Sequence, residues 1–203
     1  MKNIYLAIMG KSGAGKDTAC YILNSYGYKS IVAYTTRPMR TGEVDGVNYY
    51  FVTQEKFDEL KESGFFAETR TYNAKFGTCS YGTAKQSFSN EGKYYFIITP
   101  EGLYNMLKGE KLDIIPVYMR TTDYTLEKRL FVRLEDETDE ETKNTLRAEI
   151  TRRLGTDGGD FAPLDDPNSD YCRAFNNMVV IDTDGKTPEE VVKTLIDIVE
   201  RDL

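Results

Sequence analysis

Ile4-Tyr5-Leu6-Ala7-Ile8-Met9, followed by Gly10-Lys11-Ser12-Gly13-Ala14-Gly15-Lys16-Asp17-Thr18, is the stretch that decides the fold. The first six residues form an unbroken apolar run and read as a short buried strand. From Asp17 onward, Ala19, Ile22 and Leu23 mark an amphipathic helix. A strand, a glycine loop and a helix in that order build an anion cradle. Gly10, Gly13 and Gly15 let the backbone curl with its N–H groups inward, Lys16 supplies a cation for outer phosphates, and the helix N-terminus adds its positive end. Residues 10–18 are therefore expected to hold the phosphates of a nucleoside triphosphate such as ATP. Asp17 stands after the lysine, where a Ser or Thr hydroxyl usually meets Mg²⁺, and Thr18 carries a hydroxyl one residue later.

Bulk properties narrow the chemistry. A chain of 203 residues suits one domain with one sizeable core. No apolar run approaches the roughly 20 residues needed to span a bilayer. The apolar run at residues 4–9 reads as a core strand, so no signal peptide is expected. Cys20, Cys79 and Cys172 are scattered without paired spacing, which argues against a disulfide framework or zinc site and fits a cytoplasmic location. The net charge of −7 disfavours nonspecific nucleic-acid binding. There is no histidine, so acid–base work by imidazole is excluded. Phosphoryl transfer tolerates that restriction, because positioning and charge neutralisation do most of the work.

Apolar segments at 4–9, 30–34, 94–99, 114–119 and 178–182 read as strands. Helix-like stretches fall near 17–25, 54–63, 101–109, 123–134, 139–154 and 187–201. Alternation of this kind predicts an α/β fold with a parallel sheet flanked by helices. Pro116 lies inside one run, so that strand is expected to begin at or after it. Thr187, Pro188 and Glu190 form a helix-start signal with a capping box. Residues 35–84, rich in Tyr, Gly, Thr and charge, read as an insertion that builds a substrate pocket. Gly155 to Asp170 reads as a mobile loop.

A second motif runs from Thr35-Thr36-Arg37-Pro38-Met39-Arg40-Thr41-Gly42-Glu43 through Asp45-Gly46-Val47-Asn48-Tyr49-Tyr50-Phe51. With the glycine loop upstream, it resembles the guanylate kinase family, whose pattern is TTRxxRxGExxGxxYxF. Phe66-Ala67-Glu68, Tyr81-Gly82-Thr83, Arg129-Leu130-Phe131-Val132-Arg133 and Arg153-Leu154 extend the resemblance. It implies a P-loop kinase with core 1–34, 85–122 and 171–203, a nucleotide-monophosphate-binding segment at 35–84 and a mobile lid at 123–170. It also implies a phosphotransferase of purine nucleotide metabolism that uses ATP and Mg²⁺ to convert GMP or dGMP to the diphosphate. Its expected partners are small molecules, with no nucleic acid or membrane, and the chain is expected to be a monomer or homodimer.

The resemblance assigns roles that chemistry supports. Acceptor phosphate and donor triphosphate repel, and one charge pair at 4 Å is worth about 4 kcal/mol at an effective dielectric near 20, so several cations are needed. Arg37 and Arg40 suit a two-pronged grip on the acceptor phosphate, with Tyr49 and Tyr81 adding neutral donors. Glu43 is expected to brace the pocket by pairing with an arginine. Glu68 is expected to accept from guanine N1–H and N2–H₂, helped by Thr83. Lys16, Arg129, Arg133 and Arg153 are expected to neutralise the transferring phosphoryl group. The chain departs from the family at Ala33, where a serine is usual, and across Phe96 to Gly102, where aspartates are usual and Thr99 stands. Asp17 is expected to anchor Mg²⁺ in their place. Other readings are a kinase for ribose 1,5-bisphosphate, a broader deoxynucleotide kinase, and a non-catalytic guanylate-kinase-like binding module.

Overall fold

A computed structural model describes residues 3–74, 77–89, 91–135 and 138–201, without the side chains of Asn73, Ala74, Arg133 and Glu149. The first half of the chain forms β1 (Ile4–Met9), α1 (Lys16–Ser25), β2 (Lys29–Ser30), β3 (Tyr34–Thr35), β4 (Tyr50–Phe51), α2 (Gln54–Glu62), β5 (Phe66–Ala74) and β6 (Gly77–Ala84). The second half forms β7 (Lys93–Ile97), α3 (Pro100–Gly109), β8 (Ile114–Arg120), α4 (Asp123–Glu135), α5 (Glu140–Asp165), α6 (Asp170–Ala174), β9 (Val179–Asp182) and α7 (Pro188–Val199).

All six residues of β1 are buried because helices cover both faces of its sheet. Ile4, Leu6 and Ile8 pack with Leu23 and Val192 on one face. Tyr5, Ala7 and Met9 pack with Leu103 and Phe161 on the other. The sheet is parallel, in the order β2-β7-β1-β8-β9. A second sheet, β4-β3-β6-β5, is built wholly from residues 34–84. The α/β reading and the parallel sheet are as expected.

Three local expectations are corrected. The run 30–34 is two strands in different sheets, with β2 in the parallel sheet and β3 already in the insertion. β8 begins at Ile114 and carries Pro116 inside it, paired with Ala7 of β1. β9 starts pairing only at Val117, so Pro116 lies where the outer edge of β8 is still open and a missing N–H costs the ladder least. Gly155 to Asp165 is helix, continuous with the rest of α5. Gly155, Gly158 and Gly159 cost about 1 kcal/mol each. Phe161 and Leu164 are 4% and 5% exposed, and burying each returns about 1.5–3 kcal/mol. Tertiary burial therefore outweighs propensity.

Helix α7 has the expected capping box: Thr187 Oγ1 accepts from the Glu190 N–H and the Glu190 carboxylate accepts from the Thr187 N–H. Cys20, Cys79 and Cys172 are free thiols, and burial pushes the Cys20 thiol up to about 12. Among the described residues no helix is long and apolar enough to cross a membrane.

Candidate active site

The glycine loop leaves the end of β1 pressed against β8. A Cβ at position 10 would lie 2.9 Å from the Met119 carbonyl oxygen, so only glycine fits there. Gly13 and Gly15 have φ of +86° and +90°, the left-handed region that glycine enters without a steric penalty. Lys16 Nζ curls back into the loop and donates to the Gly10 and Lys11 carbonyls at 2.6 and 3.0 Å. Burial pushes its pKa down and the charge of Arg153 adds to that, while Asp17 and Asp157 pull it back up. Asp17 and Thr18 are exposed at the head of α1. The Ser12 N–H donates to the Asp157 carboxylate of α5. Lys11 reaches Asp123 of α4 at 2.7 Å.

The second motif forms a strand and a turn. The Thr36 N–H donates to the Ser80 carbonyl at 3.0 Å, and Thr36 Oγ1 accepts from the Ser80 N–H at 2.9 Å, locking β3 onto β6. Arg37 then turns inward over the rings of Tyr49 and Phe51, 5.4 and 5.5 Å from their centroids. Its guanidinium makes a bidentate pair with Glu43 at 3.0 and 2.7 Å. Burial opposes the Arg37 charge, but Glu43 more than offsets this and its pKa is raised. The hydrogen bonds from Arg37 hold the Glu43 carboxyl below its usual range. Glu43 also accepts from the Arg40 N–H at 2.7 Å, so it braces both arginines, and the Arg40 side chain stays exposed. Tyr49 and Tyr81 meet edge to face at 5.9 Å. Burial and the neighbouring Tyr81 push the Tyr49 hydroxyl up, so it is a neutral donor.

Glu68 projects from β5, and its side chain is fully buried. Thr83 Oγ1 donates to Oε1 at 2.9 Å. Oε2 lies 3.2 Å from Arg70 Nε, yet neither atom has an aligned hydrogen bond. Burial pushes the Glu68 carboxyl up, against the pull of Arg70 and Thr83. Arg70 Nη1 and the Tyr72 hydroxyl both reach Thr99 Oγ1, at 3.2 and 3.1 Å. Thr99 caps α3, receiving the Gly102 N–H. Arg70, Tyr72 and Thr99 were absent from the sequence-based site. The available signal was period two along β5, which puts Glu68, Arg70 and Tyr72 on one face.

On the opposite side of the loop lies a cavity of about 730 Å³, lined by Ala14, Thr18, Tyr124, Lys128, Lys186 and Val191 among others. Arg129 also lines it and donates to the Gly13 carbonyl and to both oxygens of Thr183, at 3.0–3.4 Å. Arg129 thus ties the loop to the end of β9. Arg153 stands on α5, near enough to Lys16 to lower its pKa. Arg133 lies on α4, and its side chain is outside the described residues. The structure therefore brings Lys16, Asp17, Arg153 and Asp157 around the loop, and Arg37, Glu43, Tyr49 and Tyr81 around the insertion's inner face.

The family model for guanylate kinase matches residues 2–153. A guanylate kinase of Onion yellows phytoplasma is 30% identical over 167 residues, covering 79% of this chain and 73% of the relative. One from Rhodopseudomonas palustris (strain HaA2) is 33% identical over 142 residues, covering 66% and 63%. One from Clostridioides difficile is 48% identical over 80 residues, covering 38% and 39%. The matched stretches thus span less than two thirds of the last two relatives. The crystal structure of a guanylate kinase from Anaplasma phagocytophilum superposes with a TM-score of 0.65 over 99% of this chain and 87% of that one, at 18% identity, which establishes a shared fold. By sequence model and relatives together, the chain belongs to the guanylate kinase family.

Proposed function

We propose that the chain transfers the γ-phosphoryl group of ATP to GMP or dGMP, giving ADP and the matching diphosphate. One observation carries this reading: a buried carboxylate, Glu68, has an oxygen that Arg70 Nε approaches to 3.2 Å without an aligned hydrogen bond. A ligand with N–H groups would satisfy it. Guanine offers N1–H and N2–H₂ side by side, whereas adenine offers an acceptor at N1 and leaves a desolvated charge unpaired.

The remaining residues divide between the two phosphates. Residues 35–84 form the acceptor segment, with Arg37, Arg40, Tyr49 and Tyr81 gripping the monophosphate. Residues 123–170 form the lid, bringing Arg129, Arg133 and Arg153 toward ATP, whose base enters the cavity beside Arg129. Loop N–H groups and Lys16 hold the outer phosphates. No general base is needed, because the attacking oxygen of a monophosphate is already ionised. Closure of the two segments excludes water, so transfer outruns hydrolysis.

Mg²⁺ fits this loop. Asp17 presents one exposed carboxylate beside Lys16, and Mg²⁺ in such sites takes one or two protein oxygens plus phosphates and waters. It would neutralise charge on the phosphate oxygens. In Asp17→Ala, which leaves no oxygen ligand at this position, the Mg²⁺ needed for half-maximal activity should rise, and an unchanged requirement would remove Asp17 from that role. Release of ADP measured with GMP, dGMP, AMP, dTMP and ribose 1,5-bisphosphate tests the whole reading. GMP or dGMP should lead. Preference for the bisphosphate, or no turnover with any acceptor, would overturn it.

A further inference from the structure

We propose that Arg70 is a specificity-determining residue that, with Glu68, reads the 6-oxo/N1–H edge of a 6-oxopurine acceptor. The inference rests on the GMP kinase reading and deepens it. Arg70 Nε and Glu68 Oε2 are buried side by side, 3.2 Å apart, and neither has a hydrogen-bond partner. The Arg70 side chain is 8% exposed and that of Glu68 is fully buried. The two are ion-paired but not hydrogen-bonded, so one donor and one acceptor still have capacity for a ligand edge that carries an acceptor beside a donor.

Guanine and hypoxanthine present that edge as O6 and N1–H. Adenine presents the reverse, an N6 amine beside an N1 acceptor, so it would set donor against donor and acceptor against acceptor. The surroundings hold Arg70 in place. Nη1 is tied to Thr99. The stem packs so closely on α3 that a Cβ at Gly102 would lie 2.6 Å from Arg70 Cδ. Thr83 engages the other Glu68 oxygen.

Thr99 also matters by what it is not. The end of β7 carries a neutral hydroxyl already shared between Arg70 and Tyr72. Position 99 therefore offers the N2 amine of guanine a shared hydroxyl and not a carboxylate. Selectivity should rest on the oxo edge more than on the 2-amino group, and inosine monophosphate should be a competent acceptor.

The test compares GMP, inosine monophosphate, AMP and the 2-aminopurine riboside monophosphate, which keeps the 2-amino group but lacks O6 and the N1 proton. In the wild-type protein, kcat/KM for inosine monophosphate should lie within about tenfold of GMP, and the 2-aminopurine compound about 100-fold or more below it. In Arg70→Met, kcat/KM for both oxopurines should fall about 10- to 100-fold, mainly through KM, while AMP changes little. Arg70→Lys should not restore them, because an ammonium lacks the fixed guanidinium fork.

An equal fall for all acceptors in Arg70→Met would reduce Arg70 to a structural brace and overturn the inference. A variant that does not fold leaves the wild-type comparison decisive: 2-aminopurine riboside monophosphate used as well as inosine monophosphate overturns it. If the wild-type protein phosphorylates GMP but fails this comparison, the reading of the oxo edge by Arg70 and Glu68 falls while the kinase activity stands. If it phosphorylates no purine monophosphate, the GMP kinase reading falls as well.

Discussion

Replacing Asp157 with alanine should make the protein bind ATP more tightly. The carboxylate of Asp157 takes the Ser12 N–H, one of the loop groups that a triphosphate needs. It also stands close enough to Lys16 to raise that ammonium's pKa. ATP must therefore displace one anion from the cradle before another can enter. A hydrogen bond to a charged acceptor contributes about 1.5–3 kcal/mol. Asp157 is half-buried, so solvent screening cuts this to about 0.5–1.5 kcal/mol. At about 1.4 kcal/mol per decade, the ATP dissociation constant should fall about 2- to 10-fold. Asp157→Asn keeps a neutral acceptor and should fall between the two. Calorimetric titration with ATP reads the effect directly, and titration with GMP serves as the control that should not move. An unchanged ATP constant would mean that the contact does not compete with phosphate. Weaker binding would mean that Asp157 helps to hold ATP.

Other outcomes follow from single contacts. Glu43→Gln removes one charge of the bidentate pair beneath Arg37, whose side chain is 6% exposed. KM for the acceptor should rise about tenfold while kcat changes less, since a charge-assisted pair of this kind is worth about 1.5–3 kcal/mol; a pure kcat effect would contradict the assignment. Glu68 titrates above its usual 4.5 because it is buried. Its contribution to stability is thus fully present below that usual value and is lost as pH rises through the raised one. GMP binding runs the other way, weakening as pH falls through the raised value, because the ligand needs the ionised carboxylate. Calorimetry should show an acid limb for GMP that Glu68→Gln lacks; the same limb in both proteins would clear Glu68 of base recognition. Thr187→Ala removes the cap of α7 and should cost about 1 kcal/mol, lowering Tm by about 2–4 °C in a domain of this size. A loss near zero would mean that α7 is held by its buried Val192 and Leu195 alone.

What the chain itself settled is local. The strand–loop–helix order at 4–25, the Thr35–Phe51 motif with its inward Arg37 and bracing Glu43, and the capped α7 each depend on neighbours a few residues apart. Hydrophobic period, glycine placement and cap residues record such neighbours directly. What tertiary structure decided lies at long range. Arg70 meets Thr99 across 29 residues, and Ser12 meets Asp157 across 145. No periodicity encodes those meetings, because they depend on how the insertion and α5 dock on the parallel sheet. The glycines at 155, 158 and 159 read as loop in isolation, yet Phe161 and Leu164 find a core on the far face of β1 and β8 and keep α5 helical. Pro116 reads as a strand breaker until β9 is seen to start one residue later. Local propensities amount to about 1 kcal/mol or less per residue, whereas burial of a single large side chain is worth about 1.5–3 kcal/mol. Where the two disagree in this chain, burial prevails, and the burial partners exist only once the sheet has formed.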